Sequence, residues 1–509
     1  MINMLNNRFF NDPVRQIAAA WTFGLSFLAY FIFIAQHLIG NHALRMPWLH
    51  PREQIGNGRW LGPIIGHLHY DADVPVFMPL ISIIIGIAAV WLASRLWRTQ
   101  NSISVNVIVF SFVMLFPTNL ALFYYTFMTP IFFIPWVFAA LAVLIVDRFS
   151  IWRIVVGAVC VLLMMASYQS ALSVLGVLIL TRLIITLMET PTDQSSALFK
   201  KEALIIVAQG IAVILGGIAY IISLDITGAP TSQSLEFSSL QAFIDHVKII
   251  SVEAFRHLWI TQPDILRPLK YALLGLLIAA ILLSVWRARK TPVRALIILL
   301  LWPFVILATK AVFFVADPAG NLYEYRYNPG LGFLHAFSAC IILKSLFRPG
   351  LGKMTAYVVF GVFLTTMMQA DLVRQHVLQR GQTHDLAIAN RVLMRIETLD
   401  EFDATKTYDL IRVGHYSRFR ANLFRKEGRK IDRGGDGHMD YGEITDRWID
   451  EDVFRLLGAR IKFKHKTTDP QFSKKIKEVR ESGILNERKP WPHESSVFIH
   501  NDRIIVYMQ

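Results

Sequence analysis

The ionisable residues of this chain that could do chemistry are concentrated in one early stretch, PREQIGNGRWLGPIIGHLHYDAD, which begins at Pro51. It holds Glu53, Arg59, His67, His69, Asp71 and Asp73, while the segments on either side carry almost no charge. A carboxylate held in place can take a proton from a hydroxyl, and an arginine can grip a phosphate through paired donors. Glu53 is therefore a candidate general base and Arg59 a candidate phosphate ligand. An incidental Glu–Arg pair on a solvated loop would leave the same residues. The GNG at 56–58 breaks any helix, because glycine lifts the steric limit on φ. Glu53 then closes one short element and Arg59 and Trp60 begin another. In RWLGPIIGHL, Trp60, Leu61, Ile64, Ile65 and Leu68 could sink into a membrane interface, with the indole of Trp60 at headgroup depth.

Three other places carry unusual polar residues. YEYRYN, Tyr323 to Asn328, sets three tyrosines around Glu324 and Arg326, a composition that suits a sugar and an anion as well as an interfacial tyrosine belt. Lys310 lies inside the apolar run LLWPFVILATKAVFFVAD, where an amine is expensive and marks a functional candidate. It could extend outward to meet a lipid phosphate, or extend with no function. SYQS sets Tyr168 and Gln169 in a tight turn between two apolar segments, and a short turn needs polar groups in any case. The candidates are thus Arg59, Lys310 and Arg326 for the phosphate, and Trp60, Tyr168, Gln169, Tyr323 and Glu324 for sugar or acceptor. His42, His50, His67 and His69 cluster without a metal-ligand spacing such as HExxH, so no metal and no cofactor is expected.

The elements that position these residues follow from composition. Of 509 residues, 54% are hydrophobic and 17% charged, too few polar groups to cover a water-soluble protein of this size. The apolar residues fall into runs near twenty long, enough to cross a bilayer as helices. We place eleven spans near 17–39, 75–94, 103–122, 131–147, 151–167, 169–188, 203–223, 269–286, 293–316, 329–346 and 354–371. Pro117, Pro130 and Pro135 interrupt the stretch of the third to sixth spans. The N-terminal MINMLNNRFFNDPVRQ does not read as a cleavable signal peptide. Cys160 and Cys340 both sit in apolar runs, which argues against a disulfide framework or a thiolate metal site.

The net charge of +14 would suggest nucleic acid in a soluble protein, but here the excess sits in short loops. Arg8 and Arg15, Arg95 and Arg98, Arg148 and Arg153, Lys200 and Lys201, the Arg287–Arg294 loop, and Lys344, Arg348 and Lys353 all fall on one side. That bias implies a cytoplasmic N-terminus and an external C-terminus. It puts the opening stretch, SYQS, the loop 224–268, YEYRYN and everything after about 372 outside. Asp225, Asp317 and Asp371 then read as markers of external span ends.

The fold class is a mainly α-helical polytopic membrane protein, residues 1–371, followed by a small soluble α/β domain, residues 372–509. In the tail, DLAIANRVLMRIETL has helical spacing, with Leu386, Val392, Leu393, Ile396 and Leu399 largely on one side. TYDLIRV, ARIKFK, SVFIH and RIIVYM read as strands, the last two a hairpin turning at Asn501-Asp502.

The chain resembles the polytopic O-antigen glucosyltransferases of serotype-converting phages and Gram-negative bacteria, the Gtr type, within the GT-C class of membrane glycosyltransferases. GRW at 58–60, YQSAL at 168–172, the many-span body and the tail segments DLIRVGHYSRFRANL, RWIDEDVFRLLG and WPHESSVFIHNDRIIVYM carry the resemblance. It implies transfer of a sugar, glucose on family grounds, from an undecaprenyl- or other polyprenyl-phosphate donor to a lipid-linked lipopolysaccharide glycan at the periplasmic face of the bacterial inner membrane. It also implies an acidic base in the first external loop, a role that falls on Glu53. Some relatives have an Asp-Asp pair before GRW; this chain has none, and Asp71 and Asp73 stand as rivals. Implied partners are the donor, the glycan acceptor, membrane lipids, a flippase and a donor-synthesising glycosyltransferase, with no nucleic acid. An O-antigen polymerase or ligase, or a lipid-linked sugar flippase, would share much of this pattern.

Overall fold

A computed structural model describes residues 12–36, 55–67, 74, 76–99, 102–123, 128–190, 195–228, 239–258, 267–314, 327–345, 351–414, 453–455, 457–459, 461–463 and 471–508. Glu53, Asp71, Asp73, Tyr323, Glu324 and Arg326 lie outside them. The chain divides into two compact units, and the change falls between Val373 and Arg374.

The first unit is helical. Its helices are α1 (Pro13–Ala29), α2 (Phe31–Gln36), α3 (Leu61–His67), α4 (Phe77–Leu96), α5 (Ile103–Met114), α6 (Thr129–Ile145), α7 (Ile151–Ser167), α8 (Leu172–Glu189), α9 (Ser195–Thr227), α10 (Leu240–His257), α11 (Arg267–Arg287), α12 (Pro292–Ala308), α13 (Gly330–Ser345) and the start of α14 (Leu351–Glu397). Each of the eleven apolar runs overlaps one or more of them. By length and apolarity, five helices among the described residues can cross a membrane, and a sixth if a bent pair counts as one span; four more apolar helices are shorter.

The prolines act unequally. Pro117 opens a 3₁₀ turn after α5, and the pair is bent by 43° there. Pro130 sits in the first turn of α6, where its missing N–H costs nothing, and Pro135 is carried inside that helix. The outer faces are apolar, as at Trp152 (76% exposed) and Leu282 (64% exposed), an arrangement suited to lipid rather than water. Inside, small residues let backbones approach. A Cβ added at Gly216 of α9 would come within 2.6 Å of the Ala158 carbonyl of α7. Polar side chains then join helices: Trp97 donates to Thr181 and Trp302 to Ser284, each at 2.9 Å.

Several basic residues near helix ends collect at one end. α1 begins there with Arg15 bonded to Ser94 and Thr99. α4 and α13 end there with Arg95 and Lys344, and Arg294 at the start of α12 donates to the Thr190 carbonyl after α8. The turn joining α7 to α8 is at the opposite end.

The second unit is built on a four-stranded sheet, β1 (Thr407–Val413), β2 (Lys462–Phe463), β3 (Val497–His500) and β4 (Arg503–Tyr507), in the order β2-β1-β4-β3. β1 is parallel to β2 and β4, and β3–β4 is the antiparallel hairpin. Asn501 and Asp502 both have positive φ, 50° and 56°, the conformation that a two-residue hairpin requires. The last part of α14 lays Ala389, Val392, Leu393 and Ile396 on one face of the sheet, against Tyr408, Leu410, Ile504 and Val506. On the other face α15 (Gln471–Glu481) packs Ile476 and Val479 against Ile411, Val413 and Ile505. Within ARIKFK, the pairing among the described residues covers Lys462 and Phe463. Asp371 is buried within α14, which runs on to Glu397, and lies two residues before the change between the units.

Candidate functional site

At the end of the bundle away from that basic cluster, five described candidates meet or nearly meet. Gly58 starts the construction. Its φ of +72° follows the helical turn at Ile55, and its N–H closes that turn on the Ile55 carbonyl at 2.8 Å. A Cβ there would run into the hydroxyl of Tyr220, so glycine is required both by φ and by space. The hydroxyl of Tyr220, near the end of α9, donates to the Gly58 carbonyl at 3.1 Å and accepts from Gln169 Nε2 at 2.6 Å. Gln169 Nε2 also donates to the Asn57 carbonyl at 3.2 Å. Three segments far apart in sequence are thereby locked together.

The next residue, Arg59, is half-buried, and its guanidinium lies 4.5 Å from the centre of the Tyr168 ring. Its Nε is buried and makes no hydrogen bond among the described residues. A cation over a tyrosine face is held by the ring quadrupole without spending its N–H donors. Trp60 is fixed by a 2.8 Å bond from its Nε1 to Ser223 Oγ, and it packs with Ile55 and Leu61 against Tyr220 and Leu224. Beyond it, α3 turns Ile65 inward and leaves Ile64 exposed.

Tyr168 is buried rather than displayed on an open turn. It meets Phe132 edge-on at 4.6 Å and stacks on Tyr327 at 6.4 Å between ring centres. Tyr327 in turn meets Phe313 edge-on at 6.1 Å. Phe313 belongs to the 3₁₀ turn Ala311–Phe314 that follows Lys310, and Lys310 Nζ lies 5.3 Å from its ring. His246 of α10 bonds the Phe313 carbonyl at 2.7 Å and secures that turn. Lys310 does not extend to the surface: it is fully buried, within reach of the field of Glu253.

The result is a line of side chains, Arg59–Tyr168–Tyr327–Phe313–Lys310, with a cation at each end and aromatic rings between. Tyr168, Phe313 and Lys310 are buried, so the parts of this line that a ligand can reach are Arg59, a donor to anions, and Tyr327, an aromatic face. Tyr220, Ser223, His246 and Phe313 were not among the residues singled out from sequence. Tyr220 is the one hydroxylated aromatic in the run GGIAYIISL, a usable signal. His246 lies in an amphipathic stretch with no distinguishing neighbours. Tyr327 is the last tyrosine of YEYRYN.

No curated protein and no solved structure gave a significant match to the chain. A family model does: the one described as Glucosyl transferase GtrII matches residues 30–366. That interval takes in Arg59, Trp60, Tyr168, Gln169 and Lys310, and it covers well over half of the 509 residues. The chain belongs to the glucosyl transferase GtrII family.

Proposed function

We propose that this glucosyltransferase moves glucose from a polyprenyl-phosphate sugar to a hydroxyl of a lipid-linked O-antigen or related surface glycan, at the periplasmic face of the bacterial inner membrane. The observation that carries the reading is the cation–aromatic line from Arg59 through Tyr168 to Lys310, set at the end of the bundle opposite the basic residues. Basic residues mark a cytoplasmic face, so the line would face outward.

In this reaction the acceptor oxygen bonds to the anomeric carbon as the bond from that carbon to the phosphate oxygen breaks. The acceptor proton goes to a carboxylate, and Glu53 is our choice, with Asp71 and Asp73 as rivals. The electron pair leaves with polyprenyl phosphate, whose charge Arg59, Lys310 and Arg326 would stabilise. Trp60, Tyr168, Gln169, Tyr323 and Glu324 would shape the sugar and acceptor subsites. The amphiphilic donor fits a chain with long lipid-facing helices.

The test is expression in a host whose surface glycan lacks the modification, with the glycan mass as readout. A gain of a single hexose, lost in Glu53→Gln, is the expected result. No mass change in the presence of the donor overturns the donor and acceptor assignment. Full transfer by Glu53→Gln with none by Asp71→Asn or Asp73→Asn moves the base to the end of the loop.

A further inference from the structure

The opposite end of the helical unit holds an open cavity of about 530 Å³, set among the ends of α4, α6, α8 and α9. Its ionisable lining is Arg95, Arg98, Arg182, Lys201, Asp147 and Glu202. Both carboxylates are already engaged. Glu202 is gripped by Arg182 through two bonds, 2.8 and 3.4 Å, in a pair that is about nine-tenths buried. Asp147 is paired with Arg153. Arg98 reaches Glu189 at 3.7 Å, but that carboxylate is shared with the buried Lys344. Arg98 thus has only a shared acid and Lys201 has none among the described residues, so these two side chains leave positive charge at the cavity.

We propose that this cavity binds a phosphate group, carried by the headgroup of an anionic membrane lipid or by a soluble phosphate. The inference stands apart from the sugar-transfer reading, since none of these residues belongs to the Arg59–Lys310 line. The volume leaves room for a phosphate together with the group that carries it. The buried Arg182–Glu202 pair has its charges matched, while Arg98, whose side chain is half exposed, and the exposed Lys201 are the cations that an entering anion can reach. Guanidinium groups meet phosphate oxygens through paired N–H donors. Basic pockets between helices at a bilayer's cytoplasmic face are suited to anionic headgroups.

The test uses the full chain in nanodiscs of neutral phosphatidylcholine, probed separately with short-chain phosphatidylglycerol and with inorganic phosphate, and read as a saturable rise in the unfolding temperature. Wild type should respond to at least one probe. Response to phosphatidylglycerol alone identifies a lipid headgroup; response to inorganic phosphate identifies the phosphate itself as sufficient. The double variant Arg98→Gln/Lys201→Gln should need about tenfold more probe or higher, because two charge-assisted contacts are lost. Arg98→Lys/Lys201→Arg, which keeps both charges, should stay near wild type and guards against a folding defect. A wild type that answers neither probe, or a double Gln variant that answers at the wild-type concentration, overturns the proposal.

Discussion

Arg59 is held by the face of Tyr168, at 4.5 Å, and not by a carboxylate among the described residues. The distinction matters for function. A guanidinium locked in a salt bridge has its donors occupied and its charge cancelled. One resting on a ring keeps both for a ligand, while the ring restricts where it can go. The ring is itself fixed, because Tyr168 is buried between Phe132 and Tyr327.

Arg59→Gln should therefore weaken use of the donor by about tenfold or more, the loss of one charge-assisted contact. Tyr168→Leu should move the same way by a smaller factor, since the cation remains but loses its rest. Tyr168→Phe keeps the ring and should stay near normal. Donor saturation curves for the three variants decide it. Equal curves for wild type and Arg59→Gln would remove Arg59 from the donor site.

Gly58 and Tyr220 should behave as a coupled pair. An alanine at φ +72° costs about 1–2 kcal/mol in any setting. Here its methyl also runs into the Tyr220 hydroxyl. Tyr220→Phe alone loses the bonds to the Gly58 carbonyl and Gln169, but it clears the space that the methyl needs. In a double-mutant cycle of unfolding temperatures, the combined change should be smaller than the sum of the single ones. Strict additivity would mean that the two sites do not touch.

How much of this was legible in the sequence depends on the range of the interaction. TYDLIRV forms β1 over the same seven residues, because Tyr408 and Leu410 alternate with Ile411 and Val413 across the sheet. The Asn501-Asp502 turn was equally local. Arg59, Tyr168 and Lys310 could be picked out as polar residues in apolar surroundings, but not as parts of one line. That line depends on Tyr327 and Phe313 filling the gaps between them. The contact of Tyr220 with Gly58 spans 162 residues, and no local pattern encodes it. Asp371 was legible as a boundary residue, and the change between the two units falls two residues after it. What a single acid could not show is that the helix itself continues, since no proline interrupts Leu351–Glu397.

At the start of α1, the Asp12 side chain caps the helix, accepting from the Arg15 amide at 3.1 Å and pairing with its guanidinium. Partial burial alone would raise the carboxyl's pKa, but these hydrogen bonds and the charge of Arg15 hold it below the ordinary value of 3.8. A lowered value means stabilisation that is complete above the ordinary range and lost as pH falls through the folded-state value. Asp12→Ala should thus cost about 1 kcal/mol near neutrality. The gap from wild type should close in strong acid. Thermal unfolding of both proteins across that pH range is the check, and a gap independent of pH would show that the carboxylate is not the cap.

Gly414 gives a prediction confined to the second unit. It follows β1 with φ +93°, and a Cβ there would run into the Met508 carbonyl. The same two strands are tied by the Met508 amide donating to the Val413 carbonyl at 2.7 Å. Gly414→Ala must either break that closure or strain the backbone. It should expose the β1–β4 edge to amide hydrogen exchange while leaving Gly216 and its neighbours in α9 protected as before. Unchanged exchange in β1 and β4 would count against the close approach.

Lys310 separates a structural charge from a functional one. It is fully buried, 5.3 Å from the Phe313 ring, in a part of the chain where an amine is costly. Replacing a buried charge by an apolar side chain of similar length is often neutral or stabilising, provided its partner can reach water or another cation. Glu253, whose field reaches Lys310, also has Arg256 at 3.2 Å, so it would not be left alone. Lys310→Met should therefore leave the unfolding temperature unchanged or raise it. If the amine holds the donor phosphate, the same variant should lose about tenfold or more in donor use, because one charge-assisted contact disappears from the ligand. Stability and activity would then move in opposite directions, an outcome that a misfolded variant cannot imitate. Lys310→Arg keeps the charge but needs more room beside Phe313, so it should recover part of the activity at some cost in stability. A Lys310→Met protein that is stable and uses donor as wild type does would show that the buried amine serves only the packing of the 3₁₀ turn.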